Sequence, residues 1–253
     1  MNQDVLAFGA TAFLVLCRIG TSLMFIPGLS SARIPLSLRL FCALALSLAL
    51  TPQVVQFGLT GPVEWRSRSF FNLVFQEFFL GFLFGTISSL TIQAARFAGD
   101  TISSSIGLAG IPGQPIELNE ASSQVSSLIT LAVTMLLFAG DLHLLSIDAI
   151  LRSYELVKIG AGYDVRDFSE AFLRQLRDLY LLSLQVASPF IAYSLLGNLM
   201  LGLIGRIAPK VSIYFTLTGA ITIGGLLLLA ASFRHSLEQY AQHHKSWLLW
   251  IAE

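Results

Sequence analysis

Apolar residues occupy this chain in six long blocks, about 5–26, 34–57, 70–95, 126–151, 176–204 and 211–232, separated by polar or turn-forming stretches. A helix needs about 20 predominantly apolar residues to cross a bilayer, so each block predicts one spanning helix. Little chain remains for a water-soluble domain. The joints differ in character: 27–33 form a Pro/Gly/Ser turn, 58–69 carry Pro62 and Trp65, and 205–210 make a tight basic turn around Pro209. Residues 96–125 and 152–175 are longer connections, and the second holds four basic and four acidic residues, which reads as a solvated face. Lys and Arg favour alternate joints modestly, in the sense that places the N-terminus in the cytoplasm. After the last block, Phe233, Leu237, Tyr240, His244, Trp247, Leu248 and Ile251 recur at steps of three and four. That pattern predicts an amphipathic helix lying at an interface or docked on a partner.

The blocks are not uniform cylinders for lipid. In the third, Glu77, Gly81, Gly85 and Ser88 fall on one helical face while Phe71, Phe75, Phe78 and Phe82 form another stripe. Gly81-x-x-x-Gly85 admits close approach of a second helix, so that face is expected to meet protein. In the fourth block Ser127, Thr130, Thr134, Asp141 and Asp148 recur at threes, fours and sevens, as one stripe of a single helix. Blocks one and two add Arg18 and Arg39, and block five adds Asp178 and Gln185. A central Arg or Asp costs roughly 2.5–3.5 kcal/mol to insert, so these residues imply pairing, a watery lumen or subunit contact. They read either as a proton or ion relay or, more simply, as buried salt bridges and interhelical hydrogen bonds that orient helices without chemistry.

Residues 106–124, IGLAGIPGQPIELNEASSQ, interrupt the pattern with Gly107, Gly110 and Gly113 three apart and with Pro112 and Pro115. Glycine and proline disfavour helix there, and local composition describes a connector.

Composition agrees with a membrane protein. The 253 residues are 55% hydrophobic and 12% charged, with mean hydropathy +0.73, where soluble domains carry about 25% charge. Fifteen basic and fifteen acidic residues cancel, so no global field draws nucleic acid. Cys17 and Cys42 lie inside apolar blocks, as small buried hydrophobes. Met1–Asp4 offers no basic region of the kind that opens a signal peptide, so the first block is expected to stay in the mature chain.

The spacing of the polar residues carries no catalytic or cofactor signature. Asp141 and His143 are two apart and point to different faces, so together they do not stand at helical ligand spacing for a metal. Ser103, Ser104 and Ser105 have no G-x-S-x-G elbow and read as a polar helix end before a loop. There is no GxxxxGK[ST], and the three glycines lack dinucleotide-binding spacing. No cofactor is expected.

Taken together, four stretches resemble the FliR family of flagellar export-gate proteins, which are related to the T component of type III secretion injectisomes. RIGTSLMFIPGLSSARIPLSLRLFCALALSLAL resembles the family's opening through Arg18, Pro27, Pro35 and Arg39. QAARFAGDTISSSIGLAGIPG is similar to its entry into a glycine-bearing loop through Ala95, Arg96, Ala98, Gly99 and Asp100. DLHLLSIDAILRSYELVKIG matches at His143, Ser153 and Gly160, with Lys158 where the family often has proline. LMLGLIGRIAPKVSIYF carries the most specific match, in Gly202, Leu203, Arg206, Ala208, Pro209 and Ile213.

The resemblance implies an all-α membrane protein whose segments bend into hairpins inside a helical assembly instead of all crossing lipid. It implies a FliP-like part over 1–175 and a FliQ-like hairpin with the amphipathic tail over 176–253. It implies a non-enzymatic subunit of the flagellar type III export gate, in the bacterial inner membrane at the basal body. FliP, FliQ and FlhB are the implied partners, with FlhA nearby and unfolded substrates in transit. The loop within 100–124 would correspond to the pore plug, with Ile106, Gly107, Leu108, Gly110, Ile111, Pro112, Gly113, Pro115 and Ile116 as its contacts. Arg18, Arg39, Glu77, Arg96, Asp100, Asp141, His143, Asp148, Arg206 and Pro209 would serve as structural or interhelical polar groups. An injectisome T component differs only in its partners. A proton-coupled secondary transporter, suggested by Glu77, Asp141 and Asp148, is the reading from another class.

Overall fold

A computed structural model describes residues 2–30, 34–56, 68–108, 124–159, 165–207 and 213–252. Among the described residues it holds seven α-helices and no strand: α1 Asn2–Phe25, α2 Leu36–Gln56, α3 Arg68–Ser105, α4 Gln124–Ala139, α5 Leu142–Leu156, α6 Val165–Ile207 and α7 Ile213–Ala252. Five are long and apolar enough to cross a membrane, or up to six if α4 and α5 count as one broken span. The expected all-α membrane architecture is therefore present, with different boundaries.

The largest differences arise where polar residues continue a helix. Residues 96–105, expected in a connection, are the last turns of α3, because Ala95, Ala98 and Ile102 keep its buried stripe going past Arg96 and Asp100. The start expected for the loop at Asp100 accordingly moves beyond Ser105. In the same way α6 begins at Val165, inside the stretch read as a solvated connection. The tail is no separate helix: α7 runs unbroken to Ala252. Pro189 sits inside α6, where its missing N–H frees the Gln185 carbonyl. The Ser188 hydroxyl donates to that carbonyl at 2.8 Å, so the helix continues.

The fourth block, expected as one helix, breaks at Gly140–Asp141. Asp141 takes a left-handed backbone conformation (φ 54°) as the residue before α5. Ser127, Thr130 and Thr134 on α4 therefore do not share a stripe with Asp141 and Asp148; Thr130 and Thr134 donate to carbonyls of their own helix.

Two compact units result, Met1–Leu90 with Leu137–Leu176 and His244–Glu253, and Thr91–Leu136 with Arg177–His243. The first is built around α1. Leu14, Val15, Ile19 and Leu23 pack with Ala43 and Val54 of α2 and with Ile150 and Tyr154 of α5. Leu248, at the end of α7, packs on Phe84 and Ala149 in the same unit. Within the second unit, Tyr240 of α7 faces Ser183 of α6. Both tail residues are thus used by the chain's own interior, because a stripe at steps of four meets helices already present.

The two faces read from α3 are realised. Glu77 and Ser88 are buried, whereas exposure falls along the other stripe from 78% at Phe71 to 38% at Phe82. Cys17 and Cys42 are only half-buried, and both are free thiols.

Candidate functional site

The first unit closes on one charged centre. Arg18 of α1 is 0% exposed and Glu77 of α3 is 2% exposed. Arg18 Nε donates to Glu77 Oε2 at 2.6 Å, and Nη2 donates to Oε1 at 2.9 Å, a two-pronged pair that fixes orientation as well as distance. The remaining donors go to the end of α5: Nη1 to the Ser153 carbonyl at 3.1 Å and its hydroxyl at 3.3 Å, and Nη2 to the Val157 carbonyl at 3.0 Å. The guanidinium carbon lies 4.0 Å from the centroid of the Tyr154 ring. All five guanidinium protons thus have acceptors, and the positive charge sits at the helix terminus that favours cations.

Close helix approach puts that pair in reach. A Cβ on Gly81 would overlap the Arg18 carbonyl and the Thr21 hydroxyl, and one on Gly85 would lie 2.7 Å from the Ser22 carbonyl. The Ser22 hydroxyl bonds the Gly81 carbonyl at 3.0 Å. Glycines one turn apart let α3 lie against α1, and the carboxylate one turn earlier then meets the arginine. Such a pair, doubly bonded and surrounded by helices, holds shape. Each Glu77 oxygen accepts from Arg18, so the carboxylate is held as one half of a buried ion pair.

The other expected polar residues sit elsewhere. Arg39 donates from Nε and Nη2 to the Ile34 carbonyl at 3.1 and 2.8 Å, next to the start of α2. Asp148 pairs with Arg152 one turn on at 2.9 Å, with side chains 44% and 45% exposed. His143 is half-buried and stacks on Phe138 with ring centroids 4.8 Å apart. Arg96 and Asp100 are exposed on α3, and the Arg96 carbonyl accepts from Ser126 at 3.0 Å. Arg206 is exposed in the last turn of α6. Pro209 lies outside the described residues. Glu77, Asp141 and Asp148 therefore form no common site: Glu77 is bound to Arg18, and the two aspartates are partly or fully open to the surroundings. Among the described residues no three His, Cys, Asp or Glu side chains stand close enough to hold a metal.

In the second unit the last turn of α3 is closed by two bonds of a helix-stop motif. Leu108 N–H donates to the Ser103 carbonyl at 2.9 Å and Gly107 N–H to the Ser104 carbonyl at 3.3 Å. Gly107 has φ 78°, the left-handed geometry that this stop requires and glycine accepts freely. Ile106 is 0% exposed and Leu108 is 42% exposed, so the chain turns outward within two residues. The hydroxyls of Ser104 and Ser105 bond the Thr101 carbonyl, a polar helix end as expected. Gly110, Ile111, Pro112, Gly113, Pro115 and Ile116 lie outside the described residues.

Sequence reasoning found Arg18 and Glu77 as separate polar residues and did not pair them. It found Ser153 through the resemblance alone, and it missed Tyr154 and the Val157 carbonyl. A backbone acceptor carries no side-chain signature, so only the Gly81/Glu77 face hinted at the arrangement.

Residues 10–246 match the family described as bacterial export proteins, family 1. The flagellar biosynthetic protein FliR of Caulobacter vibrioides is 31% identical over 233 residues, covering 92% of this chain and 92% of that protein. The FliR proteins of Escherichia coli K12 and Aquifex aeolicus are 29% and 28% identical over 229 and 231 residues, covering 86% and 88% of this chain and 82% and 85% of their own. With nearly the whole length matched and the helical membrane architecture in place, the chain belongs to bacterial export proteins family 1, the FliR family.

Proposed function

We propose that this chain is a non-enzymatic subunit of the flagellar type III protein export gate in the bacterial inner membrane, at the flagellar basal body. It joins FliP and FliQ in a helical assembly that it helps to nucleate, with FlhB in contact, FlhA nearby, and unfolded export substrates passing through the pore. Residues 1–175 act as its FliP-like part and 176–253 as its FliQ-like hairpin.

The observation that carries this reading is the use made of buried charge. Arg18 spends all its donors on Glu77, Ser153 and Val157, which supports a part whose task is a fixed shape. A transporter that cycles protons needs a carboxylate that can let its partner go. The relatives bear flagellar names, which favours the flagellar gate over an injectisome.

Within that assembly the segment after Leu108 plugs the resting pore. Its two glycines and two prolines between 110 and 115 are residue types that disfavour helix, and Ile111 and Ile116 offer apolar side chains suited to contacts that yield to a passing polypeptide. Deleting 109–116 leaves the helix stop at Gly107 intact. In the host, the deletion is expected to let small ions leak through the membrane while FliP and FliQ still copurify with the tagged chain. Normal assembly with no added leak would defeat the plug, and purification as a lone monomer with saturable solute uptake would defeat the gate.

A further inference from the structure

α7 carries two adjacent glycines, Gly224 and Gly225, well inside a helix of 40 residues, where each weakens the helix by about 1 kcal/mol relative to alanine. Both positions are needed for close approach. A Cβ on Gly224 would overlap the Tyr193 hydroxyl, which donates to the Ile221 carbonyl at 2.9 Å. A Cβ on Gly225 would overlap Ile106 Cγ2 and lie 2.8 Å from Ile106 Cβ. The second collision is with the branch point of a side chain, which cannot swing aside.

Ile106 is held a second time. Its carbonyl, at the end of α3 where helix carbonyls lack partners within the helix, accepts the Thr222 hydroxyl at 2.9 Å. That same hydroxyl reaches the Thr218 carbonyl of its own helix at 3.1 Å. One proton therefore has two acceptors, and if Ile106 leaves, Thr222 falls back on Thr218 without a stranded donor. Apolar contact and one hydrogen bond thus converge on the residue just before the left-handed turn at Gly107.

We propose that Gly225 and Thr222 form a releasable seat on α7 that fixes where and in which direction the chain departs from α3, making them positioning residues for the segment that follows. The seat is a property of α3 and α7. Its consequence for the pore rests on the plug reading given above.

The test uses the full chain in its purified membrane complex, with Cys17 and Cys42 replaced by alanine and a nitroxide on Leu108→Cys. Gly225→Ala is expected to raise the mobile fraction of the label about tenfold, the shift that overpacking by one methyl group produces. Thr222→Val removes the hydrogen bond without a collision and is expected to raise it less. An equally immobile label in both variants overturns the seat, whatever the 109–116 deletion does. A mobile label without ion leak, together with a tight membrane in the 109–116 deletion, leaves the seat standing and removes the plug. Should Gly225→Ala prevent recovery of the complex, Ile106→Gly added to it must restore recovery, and failure to do so also overturns the seat.

Discussion

Arg18→Met tests the centre of the first unit. Methionine fills similar space and removes five donors, leaving the Glu77 carboxylate buried without its partner. Removing one member of a buried ion pair costs about 3–5 kcal/mol. The Ser153 carbonyl keeps its bond from Val157 N–H at 2.9 Å, but the Val157 carbonyl loses the guanidinium, for about 1 kcal/mol more. A loss of about 5 kcal/mol corresponds to a midpoint about 10–20 °C lower for a chain of this size. The assay heats the purified complex in detergent and follows the soluble fraction by size-exclusion chromatography. Arg18→Met with Glu77→Leu removes the stranded charge and is expected to recover most of the loss. The swap of Arg18→Glu with Glu77→Arg is expected not to recover it, because a carboxylate would then face the α5 carbonyls, acceptor against acceptor. A neutral pair no more stable than Arg18→Met, or a swap that restores the parent midpoint, would refute the description of this centre as an ion pair joined to a helix end.

The other outcomes concern backbone geometry and are read in the same assay. Gly81→Ala forces α3 away from the Arg18 carbonyl and the Thr21 hydroxyl and is expected to cost at least about 1–3 kcal/mol. Gly9→Ala in α1 meets nothing within 4 Å and should be neutral or stabilise by up to about 1 kcal/mol. If both shift the midpoint equally, close approach is not what Gly81 supplies. At the break between α4 and α5, Asp141 makes no side-chain cap bond and holds φ 54°, so Asp141→Gly should gain up to about 1 kcal/mol, offset in part by unfolded-chain entropy. Asp141→Val should lose about 2 kcal/mol, since a β-branched residue resists the left-handed region. Equal behaviour of the two would mean the break is not held by that conformation.

Much of this was legible in order of residues because helical period is a local property. The face of Glu77, Gly81, Gly85 and Ser88 and the opposed stripe of Phe71, Phe75, Phe78 and Phe82 follow from 3.6 residues per turn, and burial divides them as the spacing implies. The stretch beginning at Ile106 was legible as a connector from its glycines and prolines together, but the stop itself, at Gly107, was placed too early, at Asp100. What misled was the use of polarity as a boundary. Arg96 and Asp100 look like a helix end, yet α3 passes through them because Ala95, Ala98 and Ile102 still have a buried side to face. The reverse error occurred at Gly140–Asp141, where a polar stripe at helical spacing suggested one helix across a break at which Asp141 takes a left-handed backbone.

The sequence by itself determined that this chain is a set of long membrane helices with one face of α3 reserved for protein, and its motifs determined its family. Tertiary structure decided which groups meet: Arg18 with Glu77 and with the carbonyls of Ser153 and Val157, and Ile106 with Gly225 and Thr222. Periodicity fixes the face on which a residue lies within its own helix. The choice of partner depends on how residues 59 or 135 positions apart in the chain come to lie together, and on backbone carbonyls and absent Cβ atoms that no side-chain pattern records.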